Sequence, residues 1–178
     1  MADLVEMTVD SIRVHVPSNQ HVVILKEKTS ERYLPIWIGK AEANSIALKI
    51  TGITPERPFT HDLVVNLLSS VDVTIDRIVV NSLANEVFYA RIVAHLNGRS
   101  IEVDARPSDA IAVAVRVGAG IFVSDDILER AGLAEFDSGG EEGDEEAADS
   151  DDRIEQIRDW VNTLDLPDLS EGEQPGDS

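Results

Sequence analysis

The feature that most limits how this chain folds is an abrupt change in composition near residue 136. Residues 137–178 contain 16 acidic and two basic side chains, which account for −14 of the formal net charge of −19. Residues 137–152 consist only of Gly, Ser, Ala, Asp and Glu. Such a stretch buries too little apolar surface to offset its conformational entropy, so we expect an acidic, flexible linker. One folded domain is therefore predicted over residues 1–136, which carry a net charge of only −5.

Residues 153–166 differ from the rest of the acidic tail. Apolar side chains recur there at helical spacing: Ile154, Ile157, Trp160, Val161 and Leu164. The pattern predicts a short amphipathic helix that ends before Pro167, followed by a disordered C-terminus over residues 167–178. Because a helix of this length is marginally stable in water, we expect it to dock on its own domain or on a partner protein.

The chain contains no cysteine, which excludes disulfides, cysteine-ligated zinc and thiol catalysis. Its first residues lack the basic and apolar regions of a signal peptide. No apolar run approaches the roughly 18 residues that a membrane-spanning helix needs. We therefore expect a cytoplasmic protein that has no membrane partner and folds without covalent cross-links.

Runs of β-branched and other apolar residues predict a series of strands in residues 1–136. These strands are Leu4–Val16, His21–Leu25, Tyr33–Ile38, Val73–Asn81, Val87–Leu96, Ser100–Ala105 and Ile121–Val123. Pro35 lacks a backbone donor, which indicates that its strand lies at an edge or carries a bulge. The dipeptide Asn97-Gly98 predicts a two-residue type I′ hairpin turn.

Four segments change to helical spacing. The predicted helices are Ala41–Ile50, a helix capped by Thr60, Ser108–Val117, and Asp125–Ala131 capped by Ser124. In the second helix, five apolar side chains recur at helical spacing, and we expect them to form a buried stripe. They are Leu63, Val64, Leu67, Leu68 and Val71. Strands and helices together predict an α+β domain.

Two helix starts repeat one plan. Residues 57–62 read Arg-Pro-Phe-Thr-His-Asp, and residues 106–109 read Arg-Pro-Ser-Asp. Each places an arginine and a proline before a hydroxyl residue and an aspartate at the start of a helix. We hypothesise that the two helix starts face each other across one cleft.

Several motifs occur in a fixed order along the domain. They are residues 34–39 (Leu-Pro-Ile-Trp-Ile-Gly), Glu42-Ala43 with Ile46, residues 57–63, residues 104–112 (Asp-Ala-Arg-Pro-Ser-Asp-Ala-Ile-Ala) and residues 121–124 (Ile-Phe-Val-Ser). Over about residues 4–132 this chain resembles the bifunctional nuclease (BFN) family. One departure is Ala119-Gly120, where relatives tend to have Ala-Pro. The resemblance implies an α+β fold with three to four helices packed on a mixed sheet, homodimers or larger homo-oligomers, and cleavage of RNA and DNA.

Phosphodiester cleavage needs an activated water, charge stabilisation at the phosphoryl oxygens and a proton for the leaving group. The candidate catalytic residues are His61, Asp62, Glu42 and Asp109. The candidates for binding the substrate phosphate are Arg57, Arg106, Thr60 and Ser108. A divalent cation, Mg²⁺ or Mn²⁺, is expected as cofactor, with Asp62, Asp104 and Asp109 as its ligands.

Each candidate also has a purely structural interpretation. Asp62 and Asp109 suit helix N-termini electrostatically, which composition alone favours over catalysis. Arg57 and Arg106 suit ion pairs with those aspartates. Thr60 and Ser108 suit helix caps. His61 is the hardest to explain in this way, because it lies between a predicted cap and an aspartate at a helix start.

Two other functions stay open at this point. The first is a non-catalytic ligand-binding or regulatory module that uses the same cleft for a small anion or a protein partner. The low positive charge of the domain favours this alternative. The second makes the acidic tail an autoinhibitor that mimics nucleic acid and occupies the cleft.

Overall fold

The computed structural model describes residues 3–15 and 19–134, and the side chains of residues 3–14 and 19–134. The predicted linker, tail helix and C-terminus lie outside the described residues. The described residues form seven strands and four helices. The strands are β1 (Leu4–His15), β2 (Gln20–Glu27), β3 (Tyr33–Ile38), β4 (Val73–Ala84), β5 (Val87–Leu96), β6 (Arg99–Ala105) and β7 (Gly120–Ser124). The helices are α1 (Lys40–Ile50), α2 (Thr60–Ser70), α3 (Pro107–Val117) and α4 (Asp125–Ala131).

All seven strands belong to one sheet, in the order β3-β2-β1-β7-β4-β5-β6. Strands β4 and β7 pair in parallel, and the other neighbours pair antiparallel. The sheet is therefore mixed, which confirms the predicted α+β fold. Strand β3, which contains Pro35, lies at an edge of the sheet, as the missing backbone donor predicts.

Two tight hairpins shape the β4–β5–β6 end of the sheet. Asn97 and Gly98 both have positive φ, and Leu96 pairs with Arg99, so the predicted two-residue turn is confirmed. The β4–β5 hairpin was not predicted. Its turn residues, Asn85 and Glu86, also have positive φ, and β4 therefore continues to Ala84 instead of ending at Asn81. The signal was missed because an Asn-Glu turn lacks the glycine that usually marks this geometry.

Helix α3 lies at the centre of the core. Seven of its 11 residues are buried, and its contacts extend from β3, at one edge of the sheet, to β5, which is next to the opposite edge strand. The sheet thus curves around α3. Pro107 at the helix start lacks only a backbone donor that would be unpaired there, and Gly118 ends the helix in the left-handed conformation. Alanines at 110, 112 and 114 are fully buried and allow the neighbouring elements to approach closely.

The predicted buried stripe on α2 is wrong. Leu63 is 60% exposed and Leu67 is 62% exposed, and no residue of this helix is classed as buried. Helix α2 instead turns the polar side chains of its first turn, His61 and Asp62, towards α1 and α3. Helical spacing identifies an apolar face but does not identify what covers it.

Two predicted helix caps also differ in detail. Thr60 is the first helical residue and Phe59 occupies the cap position, where the Asp62 Oδ2 atom accepts the Phe59 N–H at 3.0 Å. Ser124 is at the predicted cap position of α4, but its side chain makes no capping hydrogen bond. Within the described residues, no helix is long and apolar enough to span a membrane.

Candidate functional site

The starts of α2 and α3 meet through one pair of side chains. His61 lies in the first turn of α2 and Asp109 in the first turn of α3, and His61 Nε2 is 3.0 Å from Asp109 Oδ1. Helix α3 also contacts α1. This junction of three helices brings together seven polar side chains, which we term the helix-junction network: Glu42, Ser45, His61, Asp62, Arg106, Asp109 and Arg116.

His61 is held at both ring nitrogens. Nδ1 is 2.8 Å from the Ser45 hydroxyl, and Nε2 faces the Asp109 carboxylate. A carboxylate only accepts hydrogen bonds, so Nε2 carries the proton. In a neutral ring Nδ1 then accepts, and the Ser45 hydroxyl is its donor. We infer this tautomer from the partners.

Arg106 joins α3 to α1. Its Nε and Nη2 atoms donate to the two oxygens of Asp109 at 2.7 and 3.0 Å, and Nη2 also donates to Glu42 Oε1 at 2.7 Å. Hydrogen bonds to Asp109 and Glu42 raise the pKa of the guanidinium above its ordinary value. The side chain is largely exposed, and its Nη1 atom donates to no described residue. One corner of the guanidinium is thus left for an external acceptor.

Arg116 lies on the buried side of the network, where its side chain is only 5% exposed. All three of its guanidinium nitrogens are engaged. Nε donates to Asp62 Oδ1 at 2.7 Å, Nη2 to Ser45 Oγ at 2.9 Å and Nη1 to the Ala112 carbonyl at 2.9 Å. Arg116 therefore fixes the positions of Asp62 and Ser45, and its burial keeps it away from a substrate.

The two aspartates of the network are strongly ionised. For Asp109, burial alone would raise the pKa, but hydrogen bonds from Arg106 and His61 outweigh burial and lower it below the ordinary value. For Asp62, burial also opposes ionisation, and hydrogen bonds from Arg116 and from the Phe59 backbone lower the pKa. Both groups therefore act as anions that orient their partners, and a lowered pKa makes each a weak base.

The predicted site residues fall into two groups. The network contains His61, Asp62, Glu42, Asp109 and Arg106. Thr60, Arg57 and Asp104 are exposed, and none of their side chains is hydrogen-bonded or ion-paired to another described residue. Asp104 lies on β6, opposite Arg91 of β5. Ser108 is buried at the start of α3 and contributes to the pocket that adjoins the network.

The predicted metal ligands do not form a metal site in the described part of the chain. Asp62 and Asp109 are each hydrogen-bonded to an arginine, and the Asp104 side chain forms no hydrogen bond or ion pair with either of them. Among the described residues, no three His, Asp or Glu side chains are grouped so that they could hold a metal ion. A cation at Asp109 would have to displace Arg106 first, so the donor set does not fit a preformed site.

Sequence reasoning missed Ser45 and Arg116. Spacing contained a signal for both, because Ser45 is three residues from Glu42 on α1 and Arg116 is seven residues from Asp109 on α3. These intervals place each pair on one helix face. One interpretation of the sequence paired Arg57 and Arg106 with the two aspartates, whereas the partner of Asp62 is the buried Arg116.

A pocket of about 370 Å³ lies beside the network on the side of Arg106. It does not lie between the two Arg-Pro segments. Residues 106–108 of the second segment contribute to its lining, whereas residues 57–62 of the first segment do not. The rest of the lining comes from Gln20, His21, Ile36, Trp37, Ile38, Gly39, Glu86, Val87 and Phe88.

The mixed sheet, the central α3 and a histidine–arginine–carboxylate network at the helix junction define an α+β domain with a candidate anion-binding or hydrolytic site. The chain matches the bifunctional nuclease domain over residues 23–135 and belongs to that family. Two relatives from strains of Mycobacterium tuberculosis, both named as uncharacterized proteins, are each 40% identical over 161 residues. Each alignment covers 89% of this chain and 94% of the relative.

Proposed function

We propose that this protein is a nuclease that hydrolyses phosphodiester bonds in RNA or DNA at the helix-junction network. One observation carries the proposal: the Asp109 carboxylate accepts hydrogen bonds from both His61 and Arg106. A residue that can carry a proton therefore lies beside a residue that can bind phosphate. Membership of the bifunctional nuclease family supports the reaction class.

Arg106 is the phosphate ligand in this proposal. Asp109 and Glu42 orient its guanidinium group, and Nη1 points its two N–H donors at no described acceptor. A phosphoryl oxygen is the acceptor that such a preoriented donor pair suits best. The same contact stabilises the negative charge that develops on the phosphoryl oxygens as water attacks.

His61 is the proton carrier. Hydrolysis forms a bond from a water oxygen to phosphorus, breaks one P–O ester bond and moves a proton from the water to the leaving oxygen. His61 Nε2 already carries a proton towards Asp109, so a second proton reaches the ring at Nδ1, through the Ser45 hydroxyl. Asp109 stabilises the imidazolium that results, and the ring then returns the proton to the leaving oxygen. In this scheme Ser45 relays the proton, and Asp109 is a positioning residue.

The divalent cation stays a prediction. The described side chains offer no preformed site for it, so we assign no step to a metal. If a cation takes part, substrate phosphate must contribute to binding it.

The test is cleavage of single-stranded RNA and DNA by the purified full chain, with Mg²⁺, Mn²⁺ or EDTA present. We expect His61→Gln to lower the rate by about 100-fold or more. We expect Arg106→Lys mainly to raise KM, because lysine keeps the charge but cannot reproduce the forked contacts. The matched controls are His95→Gln and Arg99→Lys, which alter exposed residues of β5 and β6. Cleavage that survives in folded His61→Gln protein would falsify the assignment of His61.

A second function is favoured by one observation. Both nitrogens of His61 and all the network carboxylates already have protein partners, so no acid or base is free at rest. The alternative is a non-catalytic module that binds a small anion or a protein partner at Arg106. It predicts no cleavage under any metal condition, together with phosphate binding that Arg106→Ala abolishes and Arg99→Ala leaves unchanged.

A further inference from the structure

The pocket beside Arg106 shares only that side chain with the helix-junction network. Its walls come from β3, the start of β2, the β4–β5 turn and the start of α3. Most lining side chains are apolar or aromatic, and Arg106 belongs to both the pocket and the network. Whatever enters this pocket therefore lies next to the proposed phosphate ligand.

The lining has the chemistry of a site for a flat, partly polar group. Trp37 is 57% exposed although it belongs to a strand with buried neighbours, and Phe88 supplies a second ring. The faces of aromatic side chains stack well on nucleobases.

Two buried polar groups border the same space. Ser108 is only 6% exposed and contributes to the lining of the pocket. The Ser108 hydroxyl can both donate and accept a hydrogen bond. His21 is also buried, and burial together with the nearby Lys40 charge lowers its pKa below the ordinary value. A neutral imidazole and a hydroxyl suit the edge of a nucleobase, which carries both donors and acceptors.

The size of the pocket further restricts the kinds of ligand that fit it. About 370 Å³ lies near the lower end of the range for small-molecule sites, which is room for one base and not for a duplex. Glu86 at the pocket disfavours a phosphate inside it, whereas Arg106 favours a phosphate at its border.

We propose that this pocket receives one unpaired nucleobase of a single-stranded nucleic acid, stacked on Trp37, while the adjoining phosphate binds Arg106. This inference rests on the proposed function and names its substrate as single-stranded. It also assigns roles to Trp37 and Ser108 that lie outside the acid–base chemistry.

The test uses the fluorescence of Trp37 itself. The chain has two tryptophans, so the full-length Trp160→Phe variant leaves Trp37 as its one indole. We expect a short oligodeoxyadenylate to quench this fluorescence in a saturable way. An abasic oligonucleotide of equal length carries the same phosphates without bases, and we expect it to cause no quenching.

Affinity measurements on variants complete the test. Trp37→Leu is expected to weaken oligodeoxyadenylate binding by about 5- to 100-fold, and Trp37→Phe to restore most of the loss. Tyr89→Leu, at an exposed aromatic residue of β5 outside the pocket lining, should leave the affinity unchanged.

The outcomes separate this proposal from the nuclease assignment. Cleavage without quenching of Trp37, or equal quenching by the abasic strand, overturns the base pocket and leaves the nuclease proposal standing. Quenching without any cleavage supports the pocket and removes the nuclease proposal.

Discussion

Arg116 and Asp62 are joined across α3 and α2 by a 2.7 Å hydrogen bond from Nε to Oδ1, on the buried side of the helix junction. Arg116 also donates to Ser45, the hydroxyl that contacts His61. The buried Arg116 guanidinium therefore links α3 to α2 and, through Ser45, helps to orient the His61 ring of the proposed site. This contact therefore contributes both to the stability of the fold and to the geometry of the proposed site.

The first prediction concerns this pair. Arg116→Met leaves Asp62 and Ser45 without their donor, and we expect a loss of about 3 kcal/mol in the free energy of unfolding. That value is at the lower end for a broken buried pair, because Asp62 keeps partial access to water. Urea denaturation followed by circular dichroism measures it. Arg91→Met breaks the exposed pair with Glu102 and should cost under about 1 kcal/mol. Equal losses in the two variants would contradict the argument.

The second prediction concerns Gly39, the residue before α1. A Cβ atom at this position would clash with the Glu42 carboxylate, which is the mobile end of a flexible side chain. The backbone there has a negative φ that alanine adopts freely. We therefore expect Gly39→Ala to displace Glu42 from Arg106 and weaken phosphate binding with little loss of stability.

Gly98 provides the control for Gly39. Its positive φ makes Gly98→Ala strained, so that variant should lose about 1 kcal/mol of stability with normal phosphate binding. Isothermal titration with inorganic phosphate and thermal unfolding of both variants measure the two effects. The idea fails if Gly39→Ala binds phosphate as the parent does.

The third prediction is a pH dependence set by Glu27. This buried carboxylate accepts hydrogen bonds from Arg32, Ser30 and Thr29, which lower its pKa from 4.5 to about 2 despite the opposing effect of burial. Because the folded pKa is lowered, the stabilisation is fully present above pH 4.5 and is lost as the pH falls towards about 2.

Glu27→Gln should remove this part of the acid sensitivity. We expect the variant to be less stable at neutral pH by about 1 to 3 kcal/mol and to show a flatter stability curve below pH 4.5. Urea unfolding between pH 2 and pH 7 measures both effects, and parallel curves for parent and variant would count against this origin of the acid sensitivity. Glu102→Gln, at an exposed carboxylate of β6, is the control.

The fourth prediction places the expected homo-oligomer contact on α2. Leu63, Leu67 and Val71 present an apolar face that no described element covers. Exposed apolar patches of this kind commonly mark protein interfaces. We expect the double substitution Leu63→Glu and Leu67→Glu to lower the mass measured by light scattering at unchanged circular dichroism. Val103→Glu, an exposed apolar position on β6, is the control. A monomeric parent protein would overturn the oligomer prediction itself.

The fifth prediction concerns residues 137–178. Their net charge of −14 repels nucleic acid, or competes with it if the tail occupies the site. We expect a chain that ends at residue 136 to bind single-stranded nucleic acid more tightly than the full chain, with a difference that shrinks at high salt. Equal affinity at low salt in the two chains rules out autoinhibition.

Local patterns predicted most of the fold. The type I′ turn at Asn97-Gly98, the edge position of the Pro35 strand and the bounds of α3 follow from backbone constraints that act within a few residues. The β4–β5 turn was missed because neither of its residues is a glycine. The face of α2 was misjudged because an apolar stripe is equally compatible with a core and with an interface.

The amino-acid sequence settles which groups are available: one arginine and one aspartate at the start of α3, a histidine in the first turn of α2, and no thiol anywhere. The partners of these groups follow from tertiary packing. Arg116, not Arg57, pairs with Asp62, and Ser45 faces His61, because these contacts depend on how α1, α2 and α3 pack around the sheet. Side chains separated by 16 to 71 residues meet there, and no local pattern encodes contacts over such intervals.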